Sequence, residues 1–327
     1  MRIGMNTSKN AKRLLGILLA SSLCLTGCGN SREKMENQDA YRQIGINCMS
    51  EGDYEGAIDA FQSALDQSLA KITDREIDIC YYKAQAQYQA GKTKDAIATY
   101  SALLDYDKKN ADAYYLRGCL YQAEGKTKEA KADFASSIEN DGKNYERYVH
   151  VIEQLEKAGD TKQADTYLKQ AFELSGKTAE DAMWRGRLYL LSEDYDNAKK
   201  ELESAVKEKN SDAVLYLGMV YEKQGDEDKA QAQYEAYVKE HEDDADAMGK
   251  LADLALEQED YSKAASYLEL ALKTKHPSKE QSLRRKLIRA YEYAGDFASA
   301  KVQMESYVAD YPKDEDAAAE YQFLQTR

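Results

Sequence analysis

The sequence predicts an all-α chain built as a stack of helical hairpins, and three observations carry that prediction. Only 2 of the 327 residues are proline, while Ala, Glu, Lys and Leu abound, a balance that favours long helical runs in one elongated body. A small residue recurs at a nearly constant spacing, at Ala57, Ala96, Ala130, Ala164, Ala198, Ala230, Ala264 and Ala300, with intervals of 39, 34, 34, 34, 32, 34 and 36. Four residues after each alanine stands a large side chain: Phe61, Tyr100, Phe134, Leu168, Leu202, Tyr234, Leu268 and Met304. That offset is about one helical turn, so each pair shares a face, and the alanine lets a second helix approach closely.

The stretch Ala111 to Asn144 shows the unit most completely. Read as two helices, it puts Tyr114, Gly118 and Tyr121 on one face of the first. Ala130 and Phe134 share a face of the second, with Gly125 at the turn between. Nine residues before each alanine stand the matching first-helix side chains Cys48, Gln87, Tyr121, Leu155, Tyr189, Tyr221, Ala255 and Tyr291. This pattern resembles the helix–turn–helix unit of the tetratricopeptide-repeat (TPR) family. The resemblance runs from Gln38 to Asp314. It implies a right-handed α-solenoid of about eight repeats whose inner wall is made by the first helices. The repeats are expected at 38–76, 77–110, 111–144, 145–178, 179–210, 211–244, 245–280 and 281–314, with a capping helix in 315–327. A single hairpin cannot bury its apolar face, so stability must come from stacking on neighbours.

The turns carry their own signals. Gly52-Asp53, Gly159-Asp160, Gly225-Asp226 and Gly295-Asp296 each set a helix-ending glycine before a helix-starting aspartate, and Thr93 and Thr127 are expected to cap in the same way. Asp78, Asp112, Glu146, Glu180, Asp212 and Asp246 are expected in the first turns of first helices, where the helix dipole favours acids. The long first interval, around Gln67 to Glu76, predicts an extended second helix or a looser junction. His276-Pro277-Ser278 predicts an extra loop.

The N-terminus reads differently. Arg2, Lys9, Lys12 and Arg13 precede an apolar run from Leu14 to Leu25, too short for a mature membrane span but suited to the core of a signal peptide. The run ends in Leu25-Thr26-Gly27-Cys28, which resembles a bacterial lipobox. The resemblance implies cleavage after residue 27 and lipid on the Cys28 thiol, with 28–37 as a polar tether. Two acyl chains hold a protein on a membrane durably, whereas one is marginal. The expected location is therefore the outer face of the cell membrane, or the outer membrane in a cell with two.

Without residues 1–27, 41 Lys and Arg face 59 Asp and Glu, a net charge of −18. So acidic a body repels phosphate backbones and anionic bilayers, and nucleic acid is not an expected partner. Glycine-rich phosphate loops, metalloprotease helices and nucleophile elbows do not occur in the sequence. His150, His241 and His276 are isolated, and neither enzymatic activity nor a cofactor or metal is expected. Cys48, Cys80 and Cys119 read as small buried hydrophobes, poorly placed in register for bridging.

By the same resemblance, a binding groove is lined by fixed positions of the first helices. Carried onto this chain, these supply Tyr81, Tyr82 and Tyr88, then Tyr115 with Cys119, then Met183, Trp184 and Arg187, then Leu215, Tyr216 and Met219. Tyr and Trp offer large rigid contact area with a polar handle, and Met adds adaptability. The same rings can instead pack between repeats. Arg285, Lys286 and Arg289 place positive charge on the last repeat, which suits an acidic segment of a partner or solvation beside the acidic C-terminal helix. Some family members grip a C-terminal carboxylate with Lys and Asn. Here Arg42, Ile46, Tyr82, Asp112 and Leu116 occupy those places, so that mode is not expected.

The sequence thus predicts a non-catalytic, lipid-anchored scaffold that binds protein or peptide in the cell envelope. A glycan- or small-molecule-binding lipoprotein feeding a transporter and a self-associating structural lipoprotein are the alternatives; the oligomeric state stays open.

Overall fold

A computed structural model describes residues 31–68, 72–274 and 279–326. The expectations for the signal peptide, Cys28 and the His276-Pro277-Ser278 loop lie outside these residues. Among the described residues there are seventeen helices. The chain divides into two compact units, one ending at Ala171 and the other starting at Phe172.

The first unit holds α1 (Ser31–Ser50), α2 (Tyr54–Asp66), α3 (Asp74–Gln89), α4 (Thr93–Tyr106), α5 (Ala111–Ala123), α6 (Thr127–Asp141), α7 (Tyr145–Lys157) and all but the last residue of α8 (Thr161–Phe172). The second holds α9 (Ala179–Leu191), α10 (Tyr195–Lys207), α11 (Asp212–Lys223), α12 (Glu227–Glu240), α13 (Ala245–Glu257), α14 (Tyr261–Lys273), α15 (Glu280–Tyr293), α16 (Phe297–Asp310) and α17 (Glu315–Leu324). Odd-numbered helices up to α15 are the first helices of hairpins, and α17 follows the last hairpin.

All eight anchor alanines are buried, none more than 2% exposed. Seven of the eight large residues four positions on are buried with them. The first helix makes room: a Cβ added at Gly45, Gly118, Gly186 or Gly218 would lie 2.5–2.7 Å from Phe61, Phe134, Leu202 or Tyr234, sixteen residues later in each case. Leu168 is the exception, half-buried, with Tyr167 buried in its place. In that hairpin the branched, buried Ile152 stands where four others have glycine and two have alanine, so the space a large partner would fill is already taken. Ile288 is met by Met304 instead, an unbranched side chain that adapts to irregular gaps.

Burial is shared between hairpins. Ala57, Phe61 and Leu65 of α2 form one cluster with Ile79 and Ala86 of α3, and Ala264, Leu268 and Ala271 of α14 form another with Leu283 and Leu287 of α15. The capping helix seals the last cluster: Ala317 and Leu324 cover Met304 and Tyr307, and all four are fully buried.

At the hairpin turns, Gly52, Gly159, Gly225 and Gly295 take φ of 76–77° or 75°, and Asp53, Asp226 and Asp296 each accept a hydrogen bond from a backbone N–H of the following helix. Two corrections concern caps. Thr93 and Thr127 are the first helical residues rather than caps; Lys92 and Lys126 hold the cap positions without a side-chain cap bond. Asp78 is not in a first turn, because α3 begins at Asp74 with a Thr73–Glu76 capping box. The long first interval is therefore absorbed by the connection and an earlier start to α3, while α2 stops at Asp66. Nor is the expected tether wholly irregular: α1 starts at Ser31 and carries an Arg32–Glu36 pair at 2.8 Å.

Candidate binding faces on the first helices

In the first unit the aromatic positions are mostly committed to packing. Tyr81 lies against Tyr100, its hydroxyl donating to Asn110 Oδ1 at 2.6 Å. Since Asn110 also caps α5, the tyrosine ties one hairpin to the next, and burial pushes its hydroxyl pKa well up. Tyr82 stacks on Phe61 at 5.6 Å with the Arg42 guanidinium 5.0 Å from its ring centre. Arg42 in turn pairs with Asp78 at 2.6 Å. Tyr88 is the exposed member of the set, at 46%. Tyr115 stacks on His150 at 5.9 Å beneath Arg147, which also pairs with Asp112. Burial raises the Cys119 thiol to about 11, as it does Cys80; neither is activated toward nucleophilic chemistry.

In the second unit the residues on α9 and α11 meet. The Arg187 guanidinium lies 4.9 Å from the Trp184 ring and 4.7 Å from the Tyr216 ring. A cation held by two ring faces from consecutive hairpins is a rigid, amphipathic patch. Tyr216, Leu215, Met219, Trp184 and Leu190 are half-buried around the core beneath. Met183 is a correction: at 3% exposure it belongs to that core, packed among Ala198, Leu202 and Leu217. Its residue type and position suited a wall, but its side chain is buried in the core rather than presented on the surface.

The basic end of the last repeat is a further correction. Arg285 pairs with Glu320 of α17 at 2.7 Å, and Lys286 with Asp253 of α13 at 2.5 Å. Arg289 is exposed. Glu292, on the same helix, faces Glu320 and both arginines; burial and the second carboxylate push its pKa up to about 7. The patch is thus charge-balanced rather than basic. Glu222 and Lys250 make a similar link between α11 and α13 at 3.4 Å. Sequence reasoning missed the acids Glu222, Asp253, Glu292 and Glu320. Counted from the alanine anchor, the first three fall at the same inner positions as the expected groove residues, which was the signal available.

Among the described residues no group of three His, Cys, Asp or Glu side chains is placed to hold a metal ion, and no helix is long and apolar enough to cross a membrane.

Comparison with known proteins agrees with this architecture. Models described as "Tetratricopeptide repeat" match residues 49–120, 111–144, 185–230 and 215–280. No curated protein sequence matches the chain. Among solved structures it is similar to a tetratricopeptide repeat protein from Parabacteroides merdae, with 17% identity and a TM-score of 0.53, over 78% of this chain and 99% of that one. It is also similar to yeast Tom70, with 18% identity and a TM-score of 0.60, over 97% of this chain and 62% of that one. At such identities the likeness is one of fold.

Proposed function

The chain belongs to the tetratricopeptide-repeat family, and we propose that it is a non-catalytic scaffold that binds a protein or peptide segment through the first helices of its repeats. It is held at the outer face of a bacterial membrane, or at an outer membrane, by lipid on Cys28, and serves assembly in the cell envelope. The observation that carries the binding reading is Arg187 between Trp184 and Tyr216. The three side chains come from α9 and α11 and bring two aromatic rings and a guanidinium together on one half-buried surface, the residue types that dominate protein recognition. The anchor reading rests on Leu25-Thr26-Gly27-Cys28 behind its apolar run.

Crosslinking from Met219 in native membranes tests the binding reading. A protein partner is expected, and its capture falls at least about tenfold when Trp184→Ala and Tyr216→Ala are combined, the loss of two central anchors. Capture that survives the double substitution in a folded chain places binding elsewhere. Tight glycan binding by the purified chain with no protein captured favours the transporter-linked alternative. For the anchor, Cys28→Ser should leave an unprocessed, unlipidated precursor; normal acylation of that variant refutes the assignment.

A further inference from the structure

We propose that the uncharged outer strip of α1, centred on Tyr41 and Ile44, lies on the membrane surface that carries the anchor, docking the first repeat against the bilayer. The proposal rests on acylation at Cys28 and adds to it a second, protein-borne contact.

The strip is defined by what the repeat pattern leaves uncovered. Counted from the anchor alanines, Ile44 corresponds to Lys83 and Arg117. Those side chains reach back to the second helix of the preceding hairpin, Lys83 to Gln62 at 2.5 Å and Arg117 to Ser101 at 2.9 Å. Among the described residues no helix precedes α1. Ile44 is accordingly 48% exposed and Tyr41 38%, beside exposed Asn37, Ala40 and Asn47. The opposite side of α1 carries the buried Gln38 and Gly45.

Charge and chain length say what covers it. In a chain of net charge −14, α1 is neutral: Arg32, Lys34 and Arg42 balance Glu33, Glu36 and Asp39. Ala40 to Ser50 contains no acid, and its one base, Arg42, is paired with Asp78. The repulsion that keeps the acidic body off a bilayer is therefore absent here. Two residues, Gly29 and Asn30, separate Cys28 from Ser31, a reach of at most ~10 Å when extended. Ile44 then lies ~20 Å further along the helix. A helix tied so closely to acyl chains, with a tyrosine and an isoleucine on its uncovered side, gains by lying in the interfacial plane, where aromatic and aliphatic side chains enter the headgroup boundary.

The test uses the full chain, expressed in a bacterium that processes lipoproteins and reconstituted in phosphatidylcholine vesicles with brominated acyl chains. Trp184→Phe removes the one native tryptophan, and a probe is introduced as Ile44→Trp, with Tyr41→Trp as a second site and Asp59→Trp on the exposed side of α2 as the reference. We expect emission from the Ile44 and Tyr41 sites to be quenched about twofold or more relative to unbrominated lipid, as for side chains at the acyl boundary, with the reference unchanged. Circular dichroism confirms that each variant is folded, and the mass of the N-terminal peptide reports acylation. Acylated protein with the two α1 sites no more quenched than the reference overturns the docking and leaves the anchor standing. An unmodified Cys28 overturns the anchor, and the docking with it.

Discussion

Arg285 on α15 holds the carboxylate of Glu320 on α17 at 2.7 Å, joining the last repeat to its capping helix. Both side chains are about a quarter exposed, at 24% and 27%, so the pair is only partly screened by water. Replacing Glu320 by Gln should cost ~1 kcal/mol, and a cycle with Arg285→Met should return a coupling of ~0.5–1.5 kcal/mol. Urea unfolding of the four proteins measures it; additive losses would mean that the two groups do not sense each other.

Glu292 makes the same junction pH-sensitive. Its folded pKa, about 7, lies above the ordinary carboxylate value, so the folded state holds the proton more tightly than the unfolded one. The stability this contributes is complete below the unfolded value and is lost as pH rises through about 7. Glu292→Gln keeps the shape of the protonated acid and removes the titration. Its Tm should exceed that of the parent by ~2 °C or more at pH 8, shrinking toward zero near pH 4. A difference that is flat with pH would show that Glu292 does not titrate there. Groups with lowered pKa, such as Glu76 and Glu235, lose stability as pH falls, equally in both proteins.

Gly118→Ala puts a methyl 2.7 Å from the Phe134 ring. The ring is fully buried against Ala130 and cannot retreat freely. A loss of ~1–3 kcal/mol is expected, against the slight gain alanine gives in an open helix. Combining it with Phe134→Leu should recover part of the loss. No loss in the single variant would mean that the hairpin can open at this point.

Arg117 and Asp133 form a bidentate pair at 2.7 and 2.8 Å with side chains only 17% and 7% exposed. Removing one partner strands a charge. Arg117→Met or Asp133→Asn should each cost ~3 kcal/mol, more than the double replacement, because the pair itself is close to break-even with apolar packing. A double variant less stable than either single one would contradict this.

Glu193 and Glu259 occupy turn positions with φ of 58° and 57°, where six other turns have glycine. Replacing either with Gly should raise stability by ~0.5–1 kcal/mol, the left-handed penalty outweighing the extra freedom of the unfolded chain. Unchanged or lower stability would show that the carboxylate makes a compensating contact.

The periodic part of the chain was legible because it repeats. Ala57 through Ala300 and their partners mark the buried faces by spacing alone, and Leu168 departs from the pattern because Ile152, not the anchor, decides the space available. The site was less legible. Register placed Trp184, Arg187 and Tyr216 together, which the structure does also, but it could not separate Met183, which is buried, from Leu215, its half-buried equivalent one repeat later. It placed Arg285 and Lys286 on one face beside the acidic C-terminal helix, but it could not pair them with Glu320 of that helix and Asp253 of the preceding repeat, which are distant in sequence. Position within a repeat is a local property; which neighbour neutralises a charge is not. The neutral strip of α1 is invisible to repeat matching for a related reason, because it is defined by the lack, among the described residues, of a helix before α1.

The glycine–ring pairs also bear on how such a chain can change through descent. Gly118 with Phe134, and Gly218 with Tyr234, lie within one hairpin, so a recombination event that moves a whole hairpin carries both halves of the fit. A crossover inside the turn would instead unite Ile152 with a ring such as Phe134 and force two side chains into one volume. Hairpins are therefore the heritable cassettes of this architecture, and the turn, permissive as its backbone is, marks the place where the gene cannot be cut and rejoined freely.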